Sequence, residues 1–288
     1  MPELPEVSII VSQLTKKLKG LVLESIETDW AKKFDWGKFS IKDLRGAKII
    51  SVERRGKVVL INTDHDLTIL IHLKLTGQLI YQDAKTRVAG GHPIPPLNLP
   101  VPNKTTRVIF TFVGGGHLYF NDMRKFGWVK IVESEELKVK EAIGVELGPD
   151  PLVMSYEQFS ERLKARGQSR IKKLLMDQSF ISGVGNIYSD EALWRAKIHP
   201  KRSVASLSDS EIKALFKGIC ESLKLAIEKG GSSASAFVDS SGERGLYLSY
   251  ARAYHMTGKP CGRCKTPIVR EKIDGRSAHY CPACQKLN

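Results

Sequence analysis

Cysteine is scarce and unevenly spread: none precedes Cys220, and the other four of the five lie between Cys261 and Cys284. A secreted domain stapled by disulfides would not leave so long a stretch bare, so the pattern fits a reducing compartment. No run of eighteen apolar residues occurs. The start carries acids and a helical pattern instead of a basic head and an apolar core, so neither a membrane span nor a secretory signal is expected. Acidic side chains are in deficit, with 31 Asp and Glu against 45 Lys and Arg, a formal charge of +14. That excess points to a polyanion as partner. Over 288 residues, 42% hydrophobic and 26% charged residues make an ordinary globular composition, long enough for two domains or for one with appended modules.

Apolar residues at Val7, Ile10, Val11, Leu14 and Leu18, with Pro5 before them and Gly20 after, predict an amphipathic helix. The period then changes. Short Val, Ile, Leu, Phe and Tyr-rich segments at 21–28, 47–53, 56–62, 67–73, 77–82, 106–113, 116–120 and 126–132 predict a β-sandwich or barrel. Between them, 83–105 is rich in Gly and Pro and is expected to be an exposed, non-strand excursion. Gly148-Pro149-Asp150-Pro151 marks a boundary, after which the pattern turns helical. Capping-box patterns at Ser155 with Gln158 and at Ser208 with Glu211 open two helices, the second reaching Gly230-Gly231, and 170–176 and 187–196 predict two more. The fold class expected is α+β and multidomain: a β-sandwich or barrel with an N-terminal helix (1–135), a linker (136–150), a helical domain (151–245) and a cysteine-bearing hairpin (246–288).

Cys261-x2-Cys264, sixteen residues, then Cys281-x2-Cys284 is a pair of knuckles whose four thiolates suit a tetrahedral zinc ion. An iron–sulfur centre or redox thiols are the other readings. The span between is expected to be a two-stranded hairpin turning at Asp274-Gly275, with Arg276 projecting from its tip. His279 could ligate, but four cysteines already complete the shell. Cys220 reads as a buried small hydrophobe. Gly183-Val184-Gly185-Asn186 lacks the strand and glycine spacing of a dinucleotide fingerprint and reads as a tight turn before a helix.

The start Met1-Pro2-Glu3-Leu4-Pro5-Glu6-Val7 resembles that of formamidopyrimidine-DNA glycosylases, bacterial repair enzymes for oxidised guanine. The resemblance returns at Arg54-Arg55-Gly56-Lys57, at His72-Leu73-Lys74-Leu75-Thr76-Gly77, at Asp122-Met123-Arg124-Lys125-Phe126-Gly127 and over Ile181–Glu191, and it ends at the cysteine hairpin. It implies a β-sandwich, a helix–two-turn–helix domain and a zinc finger with DNA in the cleft between them. It also implies one structural Zn(2+), a partner in double-stranded DNA carrying oxidised bases or abasic sites, a monomer, and a cytoplasmic, nucleoid-associated location.

Carried over residue by residue, the resemblance makes Pro2 the nucleophile once Met1 is removed, attacking a sugar C1′ to form an iminium ion. Glu3 is then the acid/base carboxylate, Glu6 a supporting group and Lys57 an ammonium held against the lesion phosphate. Taken alone, Glu3 and, with more weight, Glu6 could be solvated first-turn acids, and Lys57 a surface lysine. Arg124 and Phe126 would fill the gap left by the extruded nucleotide. Leu75 stands where the family usually has methionine. Asn186, Lys172 and Arg276 would hold DNA phosphates, with Lys173, Lys201 and Arg202 as further contacts. Residues 231–246 match a loop that closes over the flipped base. The excursion at 83–105 and Ser277, where glycine is common, depart from the family pattern. The implied function is a bifunctional glycosylase/lyase for 8-oxoguanine and formamidopyrimidines. An endonuclease VIII-like activity on oxidised pyrimidines and a catalytically silent lesion-binding protein are the alternatives.

Overall fold

The computed structural model describes residues 1–91, 99–144, 146–232 and 245–287. It divides into one unit of Met1–Glu146 with Gly230–Leu246 and another of Leu147–Lys229 with Tyr247–Asn288. The first unit opens with helix α1 (Leu4–Leu18), which buries Leu4, Val7, Ile10, Leu14 and Leu18, one stripe at helical spacing. At about 1.5–3 kcal/mol for each buried aliphatic side chain, that stripe anchors the helix to the sheets beneath it.

Ten strands follow among the described residues: β1 (Leu23–Thr28), β2 (Phe34–Asp35), β3 (Ile49–Arg55), β4 (Val58–Thr63), β5 (Leu67–His72), β6 (Gly77–Gln82), β7 (Arg87–Gly91), β8 (Thr106–Phe112), β9 (His117–Asp122) and β10 (Trp128–Glu133), with a short helix α2 (Ile41–Leu44) before β3. They form two five-stranded sheets, ordered β1-β8-β9-β6-β7 and β2-β10-β5-β4-β3. Residues two apart in both sheets enter one core: Val59 and Ile61, Ile69 and Ile71, Leu79 and Tyr81, Val108 and Phe110, Leu118 and Phe120, Val129 and Ile131. This period-two burial makes a sandwich. Val58, Leu60 and Leu70 point the other way, onto Val139 of helix α3 (Glu136–Ile143).

Two expectations need correcting. The excursion at 83–105 was to hold no strand, yet β7 lies in it, paired antiparallel with β6 from Gln78↔Gly91 to Gln82↔Arg87. Its glycines mark a close approach: a Cβ on Gly90 would lie 2.7 Å from Ile10 Cγ1 of α1. The proline-rich residues 92–98 fall outside the described residues. The stretch 136–150, read as a linker, carries α3.

The second unit holds α4 (Tyr156–Lys164), α5 (Ile171–Leu175), α6 (Asn186–Ala196), α7 (Asp209–Glu228), α8 (Tyr247–Tyr250) and the hairpin β11 (Val269–Ile273)–β12 (Arg276–Tyr280). Both expected capping boxes are present, Ser155 with Gln158 and Ser208 with Glu211. Helices α6 and α7 pack closely at Gly218, where a Cβ would sit 3.0 Å from the Ala192 carbonyl oxygen. Cys220 is half-buried and donates its S–H to the Pro151 carbonyl at 3.4 Å. No helix among the described residues is long and apolar enough to cross a membrane.

Candidate active site and metal centre

In the first unit the acids gather at the start of α1. Pro5 takes the first turn, where a missing N–H costs nothing, and Glu3 is the N-cap. The Glu6 carboxylate turns back, accepting the Glu3 N–H and the Ser232 N–H, each at 2.8 Å. Glu6 is 1% exposed and Glu3 4%, so neither is a solvated first-turn acid. Pro2 is buried beside them. Burial lowers the pKa of the Met1 α-amine; Glu3 and Glu6 push the other way, and the Lys57 ammonium adds to the lowering. These four groups therefore share one electrostatic neighbourhood.

Lys57 belongs to the two-residue turn joining β3 to β4, between Arg55 and Val58. Gly56 makes that turn possible by adopting φ +56°. Arg54 fixes it to α1, donating from Nε to Ser8 Oγ at 2.9 Å and from Nη1 to the Gly56 carbonyl at 3.1 Å. At 7% exposure Lys57 is not a surface lysine.

His72 joins this neighbourhood without a sequence signal of its own beyond the motif that contains it. It ends β5, paired with Val58 next to Lys57. Its Nδ1 accepts the Lys74 N–H at 2.9 Å, and its ring packs on Trp128 with centroids 5.5 Å apart. Burial, with the Lys74 and Lys57 charges, lowers its pKa to about 3. The imidazole is thus neutral, and the hydrogen bond to Nδ1 assigns its proton to Nε2 as a donor. The sequence shows only a histidine at a strand end.

Two loops of the same unit present large apolar side chains to solvent: Leu75 between β5 and β6, and Met123 and Phe126 between β9 and β10. The Arg124 guanidinium lies 4.8 Å from the Phe126 ring centroid. Exposed wedges of this kind can enter a base stack. The loop expected at 231–246 lies, over 233–244, outside the described residues.

In the second unit, Asn186 and Arg276 line one cavity of about 460 Å³ together with Tyr254, His255, Arg270 and Ser277. Asn186 opens α6 after Gly185, and its buried Oδ1 has no hydrogen-bond partner among the described residues. A helix start and an arginine around a polar cavity suit an anion. Arg276 stands exposed at the hairpin tip, as its position after the turn glycine implied.

Lys172 is the clear correction. Expected against DNA phosphate, it is 1% exposed, and its Nζ pairs with Asp190 of α6. The other Asp190 oxygen accepts the His279 backbone N–H at 3.0 Å and lies 2.9 Å from its ring Nδ1. The lysine therefore joins α5, α6 and β12 in the interior. Its neighbour Lys173 is exposed, while Lys201 and Arg202 are held in ion pairs with Glu271 and Glu211.

The four cysteine sulfurs lie within 4.8 Å of one another. Bonds of about 2.3 Å to a tetrahedral zinc would space them by about 3.8 Å, so the set fits that ion. Burial pushes the Cys284 thiol up to about 12, while hydrogen bonds with Thr266 bring Cys264 down to about 6. Four thiols so crowded ionise together only around a cation. His279, facing Asp190, is not a ligand. The knuckles are tied to the end of α6: Arg263 stacks on Trp194 at 3.8 Å, and Gln285 donates to the Ile198 carbonyl at 2.8 Å. Glu191 completes the attachment, its buried carboxylate accepting the N–H groups of Arg252, Ala253 and Tyr254 at 2.9–3.0 Å.

Known families share this arrangement. A model described as the formamidopyrimidine-DNA glycosylase N-terminal domain matches residues 1–129. The corresponding H2TH domain matches 147–238, and a zinc finger found in FPG and IleRS matches 258–287. Formamidopyrimidine-DNA glycosylase of Pelotomaculum thermopropionicum is 39% identical over 290 residues, covering 100% of both chains. That of Enterococcus faecalis is 35% identical, covering 100% of this chain and 98% of its own. A Lactococcus lactis FPG mutant in complex with Fapy-dG-containing DNA superposes with a TM-score of 0.85 at 31% identity, covering 99% of this chain and 100% of that one. MutM in complex with carbocyclic 8-oxo-G-containing DNA follows at 0.84, with the same identity and coverage. Sandwich, helical domain and four-thiolate zinc finger all agree with these matches along the whole chain, which belongs to the formamidopyrimidine-DNA glycosylase family.

Proposed function

We propose that this chain is a bifunctional DNA glycosylase and abasic-site lyase that excises 8-oxoguanine and formamidopyrimidines from duplex DNA. The observation that carries the reading is the amino terminus set among Glu3, Glu6 and Lys57 at the start of α1. The relatives bear the matching name, and the solved structures hold Fapy-dG and 8-oxo-G DNA.

Removal of Met1 exposes the secondary amine of Pro2, and burial beside a lysine favours its unprotonated, nucleophilic form. Its lone pair attacks C1′, and the glycosidic bond breaks with its electron pair leaving on the base, which takes up a proton. Glu3 is the group placed to supply protons to the base or the ring oxygen and to take one back from C2′. The nitrogen loses its proton and the ring opens to an iminium ion. This acidifies C2′, so β-elimination expels the 3′ phosphate and δ-elimination the 5′ phosphate.

Glu6 holds the helix start and Ser232 in place. Lys57, with the His72 Nε2–H beside it, binds the lesion phosphate. Leu75, Arg124 and Phe126 fill the vacated stack, Arg124 addressing the opposite cytosine. Asn186 and Arg276 grip a phosphate in their shared cavity, and the zinc shapes the hairpin that carries Arg276. The protein acts as a monomer on nucleoid DNA in the bacterial cytoplasm.

The test uses tag-free protein, mass spectrometry to confirm Met1 removal, and an 8-oxoguanine:cytosine duplex reduced with borohydride. A covalent adduct mapped to Pro2 is expected. No adduct, with processing and DNA binding confirmed, rejects the assignment. An adduct only with an oxidised pyrimidine moves the substrate to the endonuclease VIII-like class.

A further inference from the structure

The loops that carry Leu75 and Arg124–Phe126 are far apart in sequence but end on one carboxylate. Asp122, 0% exposed, closes β9 and pairs with Gly77 at the start of β6. Its Oδ1 accepts the Thr76 hydroxyl, from the first loop, and the Arg124 N–H at 3.1 Å, from the second. Its Oδ2 accepts the Gly127 N–H at 2.8 Å, just beyond Phe126. Thr76 Oγ1 also receives the Arg124 N–H at 3.2 Å, so the loops touch directly. Each loop is tight: the Gly77 N–H bonds the Leu73 carbonyl at 2.9 Å, and a Cβ on Gly127 would lie 2.8 Å from the His72 carbonyl oxygen. Arg107 holds the Asp122 carbonyl from behind at 2.9 Å.

We infer that Asp122 and Thr76 are positioning residues that lock the two loops into one rigid wedge, so that Leu75, Arg124 and Phe126 enter the duplex together. An inserted side chain offsets unstacking most fully when it is already held in place as the base leaves; a loop that must order itself on arrival returns part of that gain as entropy. A buried carboxylate with three donors among the described residues provides the rigidity, and of these three Thr76 reaches it from the other loop. The inference rests on the wedge role proposed for Leu75 and Phe126.

The experiment follows lesion extrusion by stopped-flow fluorescence of 2-aminopurine placed beside 8-oxoguanine, with single-turnover excision measured in parallel. Thr76→Val fills the same space without a hydroxyl, and Thr76→Ser restores the hydroxyl. Thr76→Val is expected to slow extrusion about tenfold and Thr76→Ser less than twofold, at melting temperatures within a few degrees of wild type. Cleavage of a preformed abasic site, where no base is unstacked, should fall far less than excision. Combined with Phe126→Ala, Thr76→Val should add little, because both act through the same wedge.

Wild-type extrusion by Thr76→Val, alongside slow extrusion by Phe126→Ala, overturns the inference and leaves the wedge reading standing. Full additivity of the two substitutions also overturns it. If Leu75→Ala and Phe126→Ala both extrude normally, the wedge reading itself falls and the inference with it. Asp122→Asn gives the second check: it keeps one oxygen and should fall between Thr76→Ser and Thr76→Val, and wild-type extrusion would count against the lock.

Discussion

His72 makes the stability of the first unit depend on pH. Its pKa lies at about 3 against an ordinary 6.5, because the ring is buried and flanked by Lys57 and Lys74. The folded value is the lower one, so between these two values the native state binds fewer protons than the unfolded chain. Stability is therefore present above pH 6.5 and is lost as the pH falls through the window toward 3. Taking the two values, the step from pH 7 to pH 5 removes about 2 kcal/mol through this one group. The matched variant is His72→Asn, whose side-chain oxygen can still accept the Lys74 N–H. Urea unfolding of wild type and variant at both pH values isolates the contribution as the difference between the two losses. Wild type should lose about 2 kcal/mol more than His72→Asn. Nitrogen chemical shifts of the imidazole should show a neutral Nε2–H ring at pH 5. Equal losses in the two proteins, or a ring that titrates near pH 6.5, would refute the reasoning.

The interior placement of Lys172 is tested by separating fold from grip. Lys172→Met should cost about 3 kcal/mol of stability, since Asp190 is left buried without its cation, yet leave the slope of log affinity against log salt unchanged. Arg276→Ala should do the reverse, leaving stability alone and flattening that slope by about one; the opposite pattern would return Lys172 to the phosphate contacts. Glu191→Ala leaves three backbone N–H groups without their acceptor and should destabilise the second unit by about 3–5 kcal/mol, whereas Glu191→Gln, which keeps one oxygen, should cost about 1–2 kcal/mol. Equal thermal shifts for the two variants would show that volume, not hydrogen bonding, matters there.

Much of the fold was legible because it is local. The apolar stripe of α1 and the alternation of the strands record their burial in residue order, and the Ser155 and Ser208 boxes need only three residues to form. Strand β7 escaped for the opposite reason. Gly90 and Gly91 have poor strand propensity, and their place in the sheet depends on close approaches from elsewhere: Ile10, from a helix eighty residues earlier, lies over Gly90, and Gly77 and Gln78 of β6 lie against Gly91. The short β2 pairs parallel with β10, a partner that no local pattern identifies.

The same division separates the site residues. The four thiols could be read as a metal set because ligand chemistry is tied to residue type and knuckle spacing, and the opening Pro2-Glu3 and the family motifs stand in the sequence itself. Lys57 and Lys172, by contrast, are the same residue on paper. One comes to rest at a turn beside the amino terminus, and the other is drawn inside by Asp190. Glu6 could have been a solvated acid and became the acceptor of two backbone N–H groups, one of them Ser232. The state of a charged side chain depends on which groups face it and on how much water is excluded. Those partners come from distant parts of the chain, so local pattern determined most of the elements and the metal set, and only tertiary packing decided the place of β7, the protonation of His72, the fate of each lysine and the meeting of two loops on Asp122.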